Sequence, residues 1–253
     1  MSRRRHRRQA SREHPPAAAA PPPPRLALID ALRGFALCLM LVYHFVFDLV
    51  WFRVLRADFN HDPFWLGFRA IIVTLFLSLV GVSLVLARRA HQGSGSFWRR
   101  VGIIAACAGL VTAASYVTFP QSFITFGVLH CIALSSVLAR PLVDSPRAAL
   151  LLGIAAIAVG NTLQLPLFDT PWLNWIGLMT HKPPTEDYVP LLPWAGVVLV
   201  GVALGHGLFS RQLGPVVALG RSTPAWLAWL GRHSLLVYLL HQPVFVGILR
   251  VTL

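Results

Sequence analysis

The segment IDALRGFALCLMLVYHFVFDLVWF, residues 29–52, is apolar enough to cross a bilayer yet carries Asp30, Arg33, His44 and Asp48. Each ionisable side chain is costly in hydrocarbon, so four in one span call for partners or for chemistry. At about 100° per residue, Arg33 and His44 differ by only about 20° around a helix and by about 16 Å along it. Asp30 and Asp48 fall in the same sector, about 60° wide. Lipid contact would strand these groups, so the stripe faces the interior of a bundle or a wet cavity. A histidine with a carboxylate one turn further along the same face is an orienter-and-base arrangement, in which Asp48 fixes the tautomer of His44 and raises its basicity. Asp30 and Arg33 have a simpler reading as well, an ion pair that fixes the end of the helix.

Two more histidines fall deep in apolar segments: His130 in FGVLHCIALSSVLA and His241 in SLLVYLLHQPVFVGIL. Either alone reads as a hydrogen-bonded contact between helices; three at similar depth point to a shared site. Pro243 removes a backbone donor and leaves the carbonyl of Leu239 without its helical partner, which predicts a kink and room for a ligand beside His241 and Gln242. The loop TPWLNWIGLMTHKPPTEDYVPLLPWAG is rich in aromatic residues and proline. Trp172 and Trp175 suit an interfacial aromatic belt. Glu186, Asp187 and Tyr188, with Trp194 just beyond, offer acceptors and rings at the mouth of a bundle, features suited to holding a sugar or an amine; a solvated acidic turn is the other reading.

The elements that must position these groups are membrane helices. Of the 253 residues, 56% are hydrophobic and 12% charged, far from the mix of a soluble domain. Seven apolar stretches are long enough to span: about 34–52, 68–87, 101–118, 123–139, 147–164, 190–209 and 233–252. The expected fold is an all-α polytopic bundle over 26–253. The formal charge of +13 does not imply a nucleic-acid partner, because arginines gather in alternate loops: seven before the first span, then Arg88, Arg89, Arg99 and Arg100, then Arg140 and Arg147, then Arg211, Arg221 and Arg232. By the positive-inside rule the amino terminus is cytoplasmic and the carboxyl terminus outside. Residues 1–25, an arginine-rich run followed by HPPAAAAPPPP, read as a disordered tail with a secondary affinity for anionic membrane lipids. Cys38, Cys107 and Cys131 fall in separate spans without metal-ligand spacing and read as small packing residues; GVALG, residues 201–205, is a small-xxx-small packing pattern.

Taken together, RLALIDALRGFALCLMLVYHFVFDL, LFLSLVGVSLVLARR, FGVLHCIALSSVLA, DYVPLLPWAGVVLVGVALG and LGRHSLLVYLLHQPV resemble, in order over nearly all of 25–250, the bacterial branch of the family named for the catalytic region of heparan-α-glucosaminide N-acetyltransferase. The spacing of Arg33 and His44 also resembles the first-span motif of broader membrane acyltransferases that decorate surface sugars. The resemblance implies an inner-membrane enzyme taking an acyl group from cytoplasmic acyl-CoA, acetyl-CoA above all, to a carbohydrate or amine acceptor on the other side. It assigns Arg33 and neighbouring cytoplasmic arginines, with Asp30 beside Arg33, to the donor phosphates. His44, oriented by Asp48 and supported by His130 or His241, becomes the general base or the acyl carrier. Asp187, Tyr188, Trp194 and Gln242 become acceptor-binding residues. The animal enzyme has Asn at the place of His44, and its proposed catalytic histidine lies towards the first outer loop, where this chain has His61.

Two other classes fit the polar spans. A proton-coupled transporter would use His44, Asp48, His130 and His241 as a relay, and a haem protein would use paired mid-membrane histidines. A retinal protein is disfavoured, since its Schiff base needs a lysine in a span and the one lysine, Lys182, is in a loop.

Overall fold

A computed structural model describes residues 26–185, 187–210, 219–220 and 222–253 of the chain. The expected tail, Glu186, Arg211 and Arg221 lie outside the described residues. The described residues form helices α1 (Ala27–Trp51), α2 (Pro63–Arg89), α3 (Ser94–Thr118), α4 (Val128–Ala139), α5 (Pro146–Thr162), α6 (Leu191–Ser210), α7 (Ala225–Arg232) and α8 (Ser234–Thr252), with three short 3-10 turns and no strand.

Among the described residues five helices, α1, α2, α3, α6 and α8, are long and apolar enough to cross a membrane, where seven spans were expected. The expected fourth and fifth spans are shorter apolar helices. Residues 119–127 are a loop, so α4 begins at Val128 and its 12 residues reach about 18 Å, short of a core about 30 Å thick. The sequence also gave no warning of α7, whose Ala228 and Gly231 pack inward while Trp226 and Trp229 stay exposed.

Local sequence explains where several helices start. Asp62 caps α2 by accepting from the Phe64 N–H at 2.9 Å, Pro63 occupies the first turn, and Arg88 and Arg89 sit at the carboxyl end, where cations favour the dipole. Two acceptors brought from different distances cap α4: His130 Nδ1 takes the Gly127 N–H at 3.3 Å and Asp187 Oδ2 takes the Val128 N–H at 3.2 Å.

Between membrane helices there is little hydrophobic drive, so close backbone approach and dispersion do the work. Helix α6 lies against α2 and α5. A Cβ on Gly81 would meet the Val198 carbonyl oxygen at 2.1 Å, and one on Gly201 the Ser78 carbonyl oxygen at 2.3 Å. The GVALG pattern is therefore a true contact face. Leu77, Val85, Val198, Val202 and Cys131 fill the core there. Helix α1 meets α7 just as tightly, for a Cβ on Gly34 would lie 2.0 Å from the Leu227 carbonyl oxygen. Helix α8 rests on α1 and α7, and α3 on α4. Helix α1 also packs on α2, and α1, α2, α3, α4, α7 and α8 together line an internal cavity.

Candidate functional site

The cavity measures about 1440 Å³. One end, where α1 begins and α2 finishes, is lined by Arg33, Arg99, Arg100 and Arg232; the other, under the loop after α5, by Trp51, Arg69, Lys182 and Thr185. We call these the arginine end and the loop end. The face of α1 inferred from the sequence does line it, with Arg33, His44 and Asp48 all on the wall.

At the arginine end, Arg33 Nη1 donates to Asp30 Oδ1 at 3.1 Å and Nη2 to Ser83 Oγ at 2.8 Å, while the Ser83 hydroxyl donates to the Leu79 carbonyl. The guanidinium is thereby held in one orientation. Arg100 sits close enough for the two like charges to repel. A cluster of cations with one carboxylate among them is suited to a polyanion such as a phosphate group.

Deeper in, α1 and α8 bring two histidines together, His44 and His241, with ring centroids 4.8 Å apart in an edge-to-face arrangement. Asp48 reaches His44 through Gln242 and not directly. With the amide nitrogen towards the carboxylate, Nε2 donates to Asp48 Oδ2 at 3.0 Å and Oδ1 at 3.2 Å, and the amide oxygen accepts from His44 Nδ1 at 3.2 Å. That places the proton of neutral His44 on Nδ1 and leaves a lone pair on Nε2. His241 is in the same tautomer, since its Nδ1 donates to the Tyr238 carbonyl oxygen at 2.5 Å. Its Nε2 is buried and has no hydrogen-bond partner among the described residues. A buried ring nitrogen left unpaired is uncommon and marks a place where a ligand group can bond.

A second polar set joins this one. The Tyr238 hydroxyl donates to Asp187 Oδ2 at 3.2 Å, the same oxygen that caps α4. Burial pushes the Asp187 carboxyl above its usual range, while the Val128 N–H, the Tyr238 hydroxyl and the charges of Arg69 and His130 pull the other way. Asp187 lies on the cavity wall, as the sequence suggested.

Other expected site residues are placed elsewhere. His130 does not join the histidine pair: besides accepting from Gly127, its Nε2 meets Thr112 Oγ1 at 3.4 Å, and the Thr112 hydroxyl donates onward to the Ile124 carbonyl at 2.8 Å. One ring nitrogen caps α4 and the other ties α4 to α3. Trp194 packs against the core of α2, α4 and α6, away from the cavity wall. Tyr188 presents its ring to the cavity, but its hydroxyl bonds within the loop to the Asn174 carbonyl and Met179 Sδ. Asp30 is the partner of Arg33 and is not on the wall. His61 lies at the loop end, with its side chain 84% exposed and Nδ1 2.9 Å from Asp58 Oδ2. The Asn60 backbone N–H first, then the His61 ring, hold the Asp58 carboxyl below its usual range.

Sequence reasoning missed Tyr238 and Arg69. Tyr238 carried a signal, because it stands one turn before His241 and Gln242 on α8. Among the described residues no group of three or more His, Cys, Asp or Glu side chains is placed to hold a metal ion. The contact between the His44 and His241 rings also leaves no slot for a porphyrin between them, so a haem held by this pair does not fit.

The profile for the family described as "Heparan-alpha-glucosaminide N-acetyltransferase, catalytic" matches residues 25–243. Comparison with curated proteins and with solved structures returns no match.

Proposed function

The chain belongs to the heparan-alpha-glucosaminide N-acetyltransferase catalytic family, as an integral membrane protein with an acetyltransferase-like role, and on that premise we propose that it moves an acyl group from acyl-CoA to a carbohydrate or amine acceptor through its internal cavity. The observation that carries the reading is His44: an imidazole with its tautomer set by Gln242 and Asp48, on the wall of a cavity that runs from an arginine cluster to the opposite end of the bundle.

The donor supplies a thioester, an acyl group already activated for attack. Its phosphates belong at the arginine end, against Arg33, Arg99, Arg100 and Arg232, an end that this reading assigns to the cytoplasmic side of a bacterial inner membrane on the strength of the arginine-rich alternate loops. The acceptor's amine or hydroxyl sits between His44 and Asp187. As the acceptor attacks the acyl carbon, His44 Nε2 takes its proton. The imidazolium then strengthens the Nδ1–H bond to Gln242, whose amide is polarised by Asp48. The C–S bond breaks, and the proton on Nε2 leaves with the thiolate as a thiol. His241 Nε2, the unpaired nitrogen beside it, accepts a hydrogen bond from the incoming group and helps to hold it.

The experiment is consumption of acetyl-CoA by purified protein in the presence of glucosamine and simple amines. Release of free thiol that depends on the acceptor supports the reading. Absence of both binding and consumption across several acyl-CoAs overturns it. Solute uptake into vesicles by such an inactive protein would favour transport.

A further inference from the structure

At the loop end of the cavity the segment after α5 is tied to its neighbours: Lys182 Nζ bonds Asn60 Oδ1 at 3.3 Å and the Thr185 hydroxyl donates to the Phe123 carbonyl at 2.9 Å. The rings of Trp51 and Phe119 touch edge to face at 5.6 Å between centroids. The side of the cavity is different. Helices α3 and α8 both line the cavity, yet α3 packs on α4 and α8 on α1 and α7, and among the described residues α3 and α8 do not pack along each other.

The lips of this seam are apolar. Ile103, 45% exposed, and Val111 stand on the α3 side; Leu239 and Val246 stand on the α8 side. A separate face of α8, formed by Leu236, Leu240, Val244 and Ile248, is exposed as expected of a surface against lipid. Between the arginine end and the loop end the cavity wall also carries the polar groups of His44, Gln242, His241 and Asp187. A polar head at the histidines with an apolar chain leaving sideways matches this division, in the same way that a lipid divides its own polar and apolar parts.

We propose that the acceptor is an amphiphile resident in the membrane, an amine- or hydroxyl-bearing head on a hydrocarbon chain, and that it enters between α3 and α8. The inference rests on the acyl-transfer reading for the fate of the head, but the seating of the chain is tested independently of turnover. The apolar residues of α3 and α8 along the seam suit entry of such a chain from the side.

The test has two arms on full-length protein in lipid nanodiscs. In the first, a dodecylamine bearing a photoactivatable diazirine on its chain is irradiated and the labelled residues are mapped. Labelling concentrated on Ile103, Val111, Leu239 and Val246 over Leu236, Leu240 and Ile248, and competed away by dodecyl glucosaminide, is the expected result. Equal labelling of the two faces of α8, or a seam covered by crosslinks to a second copy of the chain, overturns the proposal. In the second arm, methyl and dodecyl 2-amino-2-deoxyglucosides are compared as acceptors of the acetyl group. The dodecyl compound should show a KM lower by about ten-fold or more, and Ile103→Trp should raise that KM while leaving methyl glucosaminide turnover unchanged. Equal KM values overturn lateral entry and leave acyl transfer standing; seam labelling without any turnover does the reverse.

Discussion

His44 and His241, from the first and last helices of the chain, meet edge to face with ring centroids 4.8 Å apart. Neither is placed by its immediate neighbours alone. Helix α1 carries His44 to the cavity because Gly34 lets α7 approach its backbone, and α8 follows α7 directly. The pair thus reports on the packing of three helices as well as on the site.

Gln242 joins His44 to Asp48, so its loss should act through His44. Gln242→Leu is expected to lower kcat by about 10²-fold with little change in KM for acyl-CoA, and to alter the pH profile of kcat. Steady-state kinetics across pH check this. A loss confined to KM would return Gln242 to a binding role.

Arg33 is fixed by Asp30 and Ser83 at the arginine end. Arg33→Gln should weaken acyl-CoA binding by about ten-fold, and less so in high salt, because screening already reduces the attraction there. Titration calorimetry at two ionic strengths measures it; unchanged affinity in low salt would reduce Arg33 to a mark of topology.

His130→Ala and His44→Ala should separate structure from chemistry. Removing His130 leaves the Gly127 N–H and Thr112 without their partner, at a cost of about 1–3 kcal/mol in stability. Thermal unfolding in detergent should show a lower Tm for His130→Ala with turnover largely kept at low temperature. A full loss of turnover in a folded His130→Ala protein contradicts the division drawn between the two histidines.

Glycines give a structural control. A methyl at Gly231 would lie 1.7 Å from the Asp30 carbonyl oxygen, whereas nothing lies within 4 Å of one at Gly102 in α3. Gly231→Ala should therefore lower Tm and disturb the arginine end, while Gly102→Ala is neutral or stabilises by up to about 1 kcal/mol. Comparable losses in both would refute the close α1–α7 approach.

Much of the site was legible in one helix. The repeat of α1 fixes that Arg33, His44 and Asp48 share a face, because geometry within a helix depends on spacing alone. What spacing cannot convey is which groups from other helices fill the gaps. Gln242 between His44 and Asp48, and Thr112 against His130, are contacts between distant parts of the chain, and they turn one histidine towards chemistry and the other into a tie between helices. Trp194 illustrates the same limit: its side chain packs against the core, a contact with distant residues that spacing does not convey. The expected fourth span was too long because hydropathy counts apolar residues whether or not they are helical, and 119–127 are not.

The most direct test of the central claim is the acceptor-dependent release of thiol from acetyl-CoA by wild-type protein and by His44→Ala, at equal folded concentrations. The account predicts turnover by the wild type and a loss of at least about 10²-fold in kcat for His44→Ala, with acyl-CoA binding retained. A His44→Ala protein that transfers the acyl group at the wild-type rate contradicts it.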